Sequence, residues 1–597
     1  MLFSELTTYF DAIEQTSGRL EITKQLAELL VNLSPDEIEK TAYLLQGRVV
    51  PLYQKADFGM AEKMVVKAIQ SACSVDAEGY RQVHKQFGDI GKTVEQLKNT
   101  NPTLHTQELT IAQVYQELFA ITQISGEGSQ EEKQKILAQL ISDLSPTAAR
   151  YIVRIPIGAL RLGFSDMTVL DAYSWMLTGD KKLRKRIEAA YHVRPDLGYI
   201  GRQLKEHGIE SMDSVTPQLF TPILMMRAER MSSGVEILEK VGPCAVEPKY
   251  DGFRLQIHYQ KETQTVKLYT RGLEHVSMMY PDIVEAVQSE LDVDSIILEG
   301  EALGYVPETE ALLPFQETVQ RKRKYNIVEK VKEIPLKLFA FELLYLDGES
   351  YINKPYMQRR KMIESVVKAG SDFAKGTILA APSTVYDNAT AIEQSFDTAI
   401  TDGLEGIIAK KLDGVYQAGA RGSNWLKFKR SYASSAIDDT IDCVVLGYDY
   451  GKGKRASFGI GAFLAGVYDA ASDSFVTVAK IGTGLTDHEW REMKKRCDAI
   501  EVKELPIQYS VDSAMQADVY VSPQIVVEIR ADEITRSPVH TAGRTLKQSK
   551  SGSAKEVDEP GYALRFPRLE RFRDDKRIED ATTVSEIVDL EARAHKR

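Results

Sequence analysis

The sequence predicts a multidomain chain in three parts: an all-α region over residues 1–220, an α+β region over 221–430 and a small β-barrel over 431–597. Three observations carry this expectation. Apolar residues recur at helical spacing through the first part, and short β-rich runs take over beyond Cys244. A small, polar segment near residue 430 then separates two strand-rich stretches. A chain of 597 residues is also too long for one core, and roughly two to four domains is the natural expectation.

In the first part, Leu2, Leu6, Phe10 and Ile13 mark one helical face, and Leu26, Leu29, Leu30 and Leu33 mark another. Ser34-Pro35-Asp36-Glu37 and Ser145-Pro146-Thr147 read as helix starts, with proline in the first turn. The two starts also open a faint internal repeat. One leads to Phe58-Gly59-Met60 and the other to Leu162-Gly163-Phe164, as two related helical units would. The pattern changes at Thr221-Pro222. Strands are expected at Phe253 to His258, Ile296 to Leu298 and Leu338 to Phe341, with a helix over Gln358 to Ala369. Arg430 to Ser435 reads as a hinge. Beyond it, Asp442 to Gly447 and Ala462 to Val467 read as strands with glycine bends, as in a small barrel. Ser549 to Gly561 reads as a loop and Val584 to Arg593 as a short helix.

Composition excludes several classes. Hydrophobic content of 43% and charged content of 27% describe a soluble globular chain. No apolar run approaches the ~20 residues of a membrane helix. Met1 to Thr7 lacks the basic and apolar blocks of a signal peptide, so a cytoplasmic protein is expected. Cys73, Cys244, Cys443 and Cys497 lie far apart, which removes a zinc ribbon and a disulfide framework and fits a reducing compartment. The net charge of −11 decides little about nucleic acid, because phosphate binding depends on where the cations lie. Basic clusters occur at Arg150 to Arg161, Arg227 to Arg230, Arg321 to Lys324, Lys427 to Arg430, Lys452 to Arg455 and Arg565 to Arg577.

The run Glu247-Pro248-Lys249-Tyr250-Asp251-Gly252-Phe253-Arg254 carries the most chemistry. A lysine amine can attack an α-phosphate, an Asp-Gly turn can present it, and an arginine can hold phosphates. The stretch resembles the Lys-x-Asp-Gly motif of nucleotidyltransferases that form a lysine–nucleotide intermediate: ATP-dependent DNA ligases, RNA ligases and mRNA capping enzymes. Downstream, further motifs follow in the order of the DNA-ligase set. Thr270-Arg271-Gly272 resembles the second, whose arginine contacts the nucleotide. Glu299-Gly300-Glu301 resembles the third, in which the second acid is functional. Phe339-Ala340-Phe341-Glu342 resembles the next, whose aromatic stacks on the base. Glu405 to Lys410 resembles the Glu-Gly motif with its metal-associated carboxylate, Trp425 to Lys429 the closing lysine pair, and Arg573 to Lys576 the final motif.

The resemblance implies that Lys249 is the catalytic nucleophile and that Glu247 and Arg254 contact the adenine and the phosphate or ribose. It also implies nucleotide contacts for Arg271, Glu301, Phe341, Arg421, Lys427, Lys429, Arg573 and Lys576, and Mg²⁺ ligation by Glu301 and Glu405. A free lysine has a pKa of about 10.4. Lys427, Lys429 and a bound Mg²⁺ are therefore expected to disfavour its charged form. Glu301 and Glu405 are hard oxygen donors suited to that ion. Phe341 and Phe339 are expected to part, one facing the core and the other the ligand. Two departures stand out: Glu342 replaces the Asp that many ligases carry there, and Gly272 follows Arg271 where another residue is frequent.

The long helical region separates the chain from capping enzymes and small RNA ligases and resembles the three-domain ATP-dependent DNA ligases of archaeal and eukaryotic replicative type. That resemblance implies a helical DNA-binding domain, an adenylation domain and an OB-fold domain that swings about the hinge. It implies ATP as AMP donor, Mg²⁺ as cofactor, nicked duplex DNA as substrate, a monomer, and a sliding clamp as a further partner. Tyr151 to Gly163 resembles the DNA-facing helical segment. Two alternatives are an RNA ligase or guanylyltransferase, and a helical DNA-binding scaffold with an inactive catalytic domain. The intact set of Lys249, Glu301, Glu405, Lys427 and Lys429 speaks against the second.

Overall fold

The computed structural model describes the chain except residues 17, 101–106, 161, 163, 324, 430–439, 452–454, 456–457, 549–554 and 597. The hinge expected over Arg430 to Ser435 therefore lies outside the described residues, as do Arg161, Lys324 and Lys452. The chain divides into two compact units, Met1–Lys427 and Phe428–Arg597. No helix among the described residues is long and apolar enough to cross a membrane.

Helices fill the first part of the larger unit, from Phe3–Glu14 to Leu197–His207. Phe3, Leu6, Phe10 and Ile13 are fully buried, as are Leu26, Leu29 and Leu30, so the apolar stripes face one shared core. Ser34 caps the helix Pro35–Leu45 by accepting the Glu37 amide at 3.3 Å, and Ser145 caps Pro146–Ile152 through the Ala148 amide at 3.3 Å.

Two arginines of the basic cluster Arg150 to Arg161, Arg150 and Arg154, point into the interior. Both are buried, at 8% and 2% exposure. Arg150 pairs with Glu14 at 2.5 Å and Asp11 at 2.9 Å, and Arg154 with Asp89 at 2.6 Å and Glu14 at 3.1 Å. Their guanidinium groups are committed to internal carboxylates. Arg321 likewise leaves its basic cluster for the interior, where it meets Asp282 at 2.7 Å.

Two sheets build the α+β part. One has the strand order Arg227–Met231, Arg421–Lys429, Gly406–Lys411, Cys244–Lys249, Thr384–Tyr386. The other runs Thr265–Thr270, Phe253–Gln260, Ser295–Gly304, Leu336–Leu346, Glu349–Ser350, with Ile378–Ala380 added on Leu336–Leu346. The bend at 250–252 takes the chain from the first sheet to the second, which places Lys249 and Arg254 on either side of it.

A buried polar chain ties the segment entering this part to the second sheet. The Phe220 amide donates to Nδ1 of His258 at 3.0 Å, so Nε2 carries the proton and donates to Gln256 Oε1 at 3.0 Å. Gln256 holds both polar groups of the Ile223 backbone and donates to Glu299 at 2.9 Å. Burial, with Lys267 nearby, pushes the His258 pKa down to about 3. A second proton would set an Nδ1–H against the Phe220 N–H. The unfolded chain takes that proton below about pH 6.5 while the folded chain does not, so stability is full above that pH and falls as pH drops toward 3. We expect His258→Gln to abolish this slope: the wild-type loss attributable to this group is about 2 kcal/mol at pH 5. Urea unfolding of both proteins at pH 7.5 and pH 5 measures it, and equal slopes would refute the assignment.

In the smaller unit, eight strands form one sheet around a core that includes Cys443, Val445, Phe463, Val478 and Ile529. Ile441–Asp449 lies at its centre, paired with Ala462–Asp469, Val519–Val521 and Val526–Arg530. The pairings among the described residues leave this sheet open.

Candidate active site

A cleft of about 760 Å³ opens between the two sheets of the α+β part. Its walls carry Glu247, Lys249, Arg254, Arg271, Glu301, Phe341 and Lys427, seven of the residues singled out in the sequence. Lys249 ends the strand Cys244–Lys249, directly across from Gly406 on the neighbouring antiparallel strand. That register brings Glu405 beside it: the Glu405 amide donates to the Lys249 carbonyl at 3.0 Å, and the two side chains form an ion pair. The Nζ thus meets a carboxylate, where the sequence reading expected cations. Gly252 follows in the bend because a Cβ there would lie 2.3 Å from the Ala302 carbonyl oxygen.

Glu247 sits two residues before Lys249 and therefore on the same face. It is 2% exposed, and its carboxylate takes the Tyr356 hydroxyl on one oxygen and Lys410 at 2.8 Å on the other. Lys410 also donates to the Phe341 carbonyl at 2.6 Å. Its ammonium lies 4.6 Å from the Trp425 ring centre and 5.2 Å from that of Phe341. Burial lowers the Lys410 pKa, with Glu247 and Glu342 opposing that shift. Motif matching gave Lys410 and Trp425 no role of their own and passed over Tyr356. Strand alternation offered a signal for two of them, since Lys410 shares a face with cleft-lining Ile408, and Trp425 with Lys427.

Arg254 bonds Glu299 at 2.5 Å and the Met226 carbonyl at 2.8 Å, and lies 5.1 Å from the Phe341 ring centre. Its Nε is buried without a hydrogen-bond partner, a donor left for a ligand. Glu299 is fully buried and also receives the Tyr416 hydroxyl at 3.0 Å, so it serves Arg254 and not the cleft. Glu301 does face the cleft. Burial pushes its carboxyl up to about 7 against the pull of Lys249 and Arg254, which marks an under-compensated negative charge.

Phe339 and Phe341 part company for a reason that simple alternation does not supply, because positions two apart share a face. The strand Leu336–Leu346 carries a bulge: Glu342 pairs with Glu299 and Ala340 with Gly300, so Phe341 is the extra residue. The bulge turns Phe341 into the cleft, while Phe339 stacks on Tyr250 at 4.2 Å. Glu342 is buried on Arg359 at 2.7 Å and is absent from the cleft lining.

Arg271 stands on the exposed turn after Thr265–Thr270, where the Leu273 amide closes onto the Thr270 carbonyl at 2.9 Å. Leu273 has φ +65°, a left-handed conformation that costs a branched residue about 1–3 kcal/mol. Lys429 lies two residues beyond Lys427 on the strand Arg421–Lys429, outside the cleft lining. The Arg421 side chain is outside the described residues. Arg573 and Lys576 belong to the smaller unit, where both converge on Asp442, at 3.0 and 2.6 Å. Arg573 also meets Glu528 and Asp575.

A cleft that gathers lysine, arginine and carboxylate side chains around an aromatic ring has the parts for binding a nucleotide, and comparison with known proteins gives the family. Residues 2–174 match the DNA ligase N terminus, 225–429 the ATP dependent DNA ligase domain, and 456–576 the ATP dependent DNA ligase C terminal region. A protein of Dictyoglomus turgidum named "Probable DNA ligase" is 46% identical over 591 residues, spanning 99% of this chain and 97% of that protein. "DNA ligase 2" of Thermofilum pendens is 40% identical, spanning 98% and 97%. The solved structure called Pmar-Lig_PreS3 shares the fold with a TM-score of 0.52 at 15% identity, over 95% of this chain and 99% of that one. The chain belongs to the ATP-dependent DNA ligase family, in the three-domain arrangement. Its reaction is the sealing of DNA nicks through an adenylate intermediate.

Proposed function

We propose that Lys249 is the residue that carries AMP, and that the chain seals 5′-phosphate/3′-hydroxyl nicks in duplex DNA. The observation that carries this reading is the position of Lys249 in a cleft whose walls also hold Glu301, Arg254, Arg271 and Lys427. Nζ attacks the α-phosphorus of ATP; the P–N bond forms, the bond to pyrophosphate breaks and Nζ gives up a proton. Glu405 is within reach of that proton. The 5′-phosphate oxygen at the nick then takes AMP from Nζ, which regains its proton. The 3′-hydroxyl finally attacks the 5′-phosphorus and releases AMP.

Phe341 offers the ring on which the base stacks, and Glu247 an acceptor for the adenine amino group, held by Lys410 and Tyr356. Arg254, Arg271 and Lys427 offer charge to the phosphates. Glu301 and Glu405 suit Mg²⁺, which keeps several waters and takes one or two carboxylates beside substrate phosphates. The raised Glu301 carboxyl fits that role, because a cation would supply its missing compensation. When bound, Mg²⁺ neutralises charge on the reacting phosphate. Arg573 and Lys576 are read as triphosphate contacts, and the smaller unit as an OB-type domain, on the family match and its sheet of short strands. Four buried cysteines, far apart in the sequence, suit a reducing cytoplasm.

The test is sealing of a singly nicked DNA duplex with Mg²⁺ and ATP, NAD or no nucleotide. Sealing with ATP alone is expected. A labelled protein–AMP adduct without DNA sealing, but with sealing of an RNA nick, would move the substrate to RNA.

A further inference from the structure

The turn that carries Arg271 is gripped by the helical part of the same compact unit. Leu273 is 6% exposed and packs in one small cluster with Tyr269 of the catalytic sheet and Tyr53 of the helical region, with Leu224 against it. A second, smaller cavity of about 230 Å³ is lined by Arg48, Pro51 and Leu52 on one side and by Arg271, Gly272 and Leu273 on the other. Each member of the grip is itself anchored. The Tyr53 hydroxyl donates to Asp196 at 3.3 Å. Asp196 is 5% exposed, accepts Tyr43 at 2.8 Å and caps the helix Leu197–His207 through the Tyr199 amide. Tyr269 donates to the Phe220 carbonyl at 2.7 Å.

We infer that Tyr53 is a positioning residue for nucleotide binding: by packing on Leu273 it holds the turn in the shape that aims Arg271 into the cleft. The inference rests on the reading of Arg271 as a nucleotide contact. Its physical ground is that a leucine at φ +65° relaxes to the ordinary region unless its surroundings over-determine it. Here the side-chain burial that does so comes from two places, the catalytic sheet through Tyr269 and the helical part through Tyr53. Docking of the helical part and capture of ATP are thereby coupled, although Tyr53 is not among the cleft-lining residues.

The experiment follows adenylylation of Lys249 in the full chain, in single turnover with Mg²⁺, as a function of ATP concentration. Tyr53→Ala is expected to raise the half-saturating ATP concentration about tenfold with little change in the plateau rate. Tyr53→Phe, which keeps the ring, is expected to behave as wild type. In an Arg271→Ala background, Tyr53→Ala is expected to add nothing, because both act through one contact. Thermal melting checks folding; should Tyr53→Ala unfold, Leu273→Gly relieves the backbone, removes the anchor and is expected to give the same shift. An unchanged ATP dependence in Tyr53→Ala and Leu273→Gly, beside a raised one in Arg271→Ala, would overturn the inference alone. A wild-type ATP dependence in Arg271→Ala would remove the reading of Arg271, and the inference with it.

Discussion

Replacing Lys249 with alanine is expected to abolish the protein–AMP adduct and to cut ATP-driven sealing of nicked duplex by at least about 10⁴-fold. Lys249→Arg is expected to be equally dead. A guanidinium keeps the ion pair with Glu405 yet cannot be deprotonated, so it retains the electrostatics and loses the nucleophile. The final step does not pass through Nζ. A nick supplied with AMP already on its 5′-phosphate is therefore expected to be sealed by both variants at a rate nearer to wild type. ATP-driven sealing by Lys249→Ala would transfer the nucleophile to another group, and loss of all three activities together would point to a collapsed cleft instead.

The largest stability effect is expected at Arg359. Its guanidinium binds both oxygens of Glu342, at 2.7 and 2.9 Å, and donates further to the Gly414 carbonyl at 2.9 Å. The side chains are 1% and 0% exposed. Burial pushes the Glu342 carboxyl up, but Arg359, aided by Lys410, more than offsets this and leaves it below the usual range. Arg359→Met removes that compensation and strands a buried carboxylate, at a cost of about 3–5 kcal/mol. Glu342→Leu combined with Arg359→Met is expected to recover much of it, since neither charge then remains. Urea unfolding of the single and double variants reads the difference; a loss below about 1 kcal/mol in Arg359→Met would show that water reaches the pair.

Much of this was readable because it is local. The buried set Phe3, Leu6, Phe10 and Ile13 repeats at helical spacing, and the motif residues that line the cleft follow one another in chain order. What escaped depends on partners far away in the chain. Arg150 meets Glu14 across 136 positions, and no periodicity tells a surface arginine from one awaiting a buried carboxylate. Lys410, though inside a matched motif, was given no role because a lysine in a strand is ordinarily solvated, and the acid and carbonyl that hold it, Glu247 and Phe341, sit on other strands. The orientation of Phe341 depends on a bulge, which exists only once a neighbouring strand sets the register. The cluster that joins Tyr53 to Tyr269 and Leu273 likewise appears only when the helical part is docked.

An amine that rests as its conjugate acid is inert toward stray electrophiles. Lys249 opens onto a roomy cleft, yet it is ion-paired with Glu405, and an ammonium has no lone pair with which to attack aldehydes, isocyanates or acyl donors. With Lys249 as the nucleophile proposed above, this ion pair stores the reacting amine in a disarmed form. Arming it requires Nζ to pass on a proton, and Glu405 is the carboxylate within reach, so protection and activation would come from the same pair.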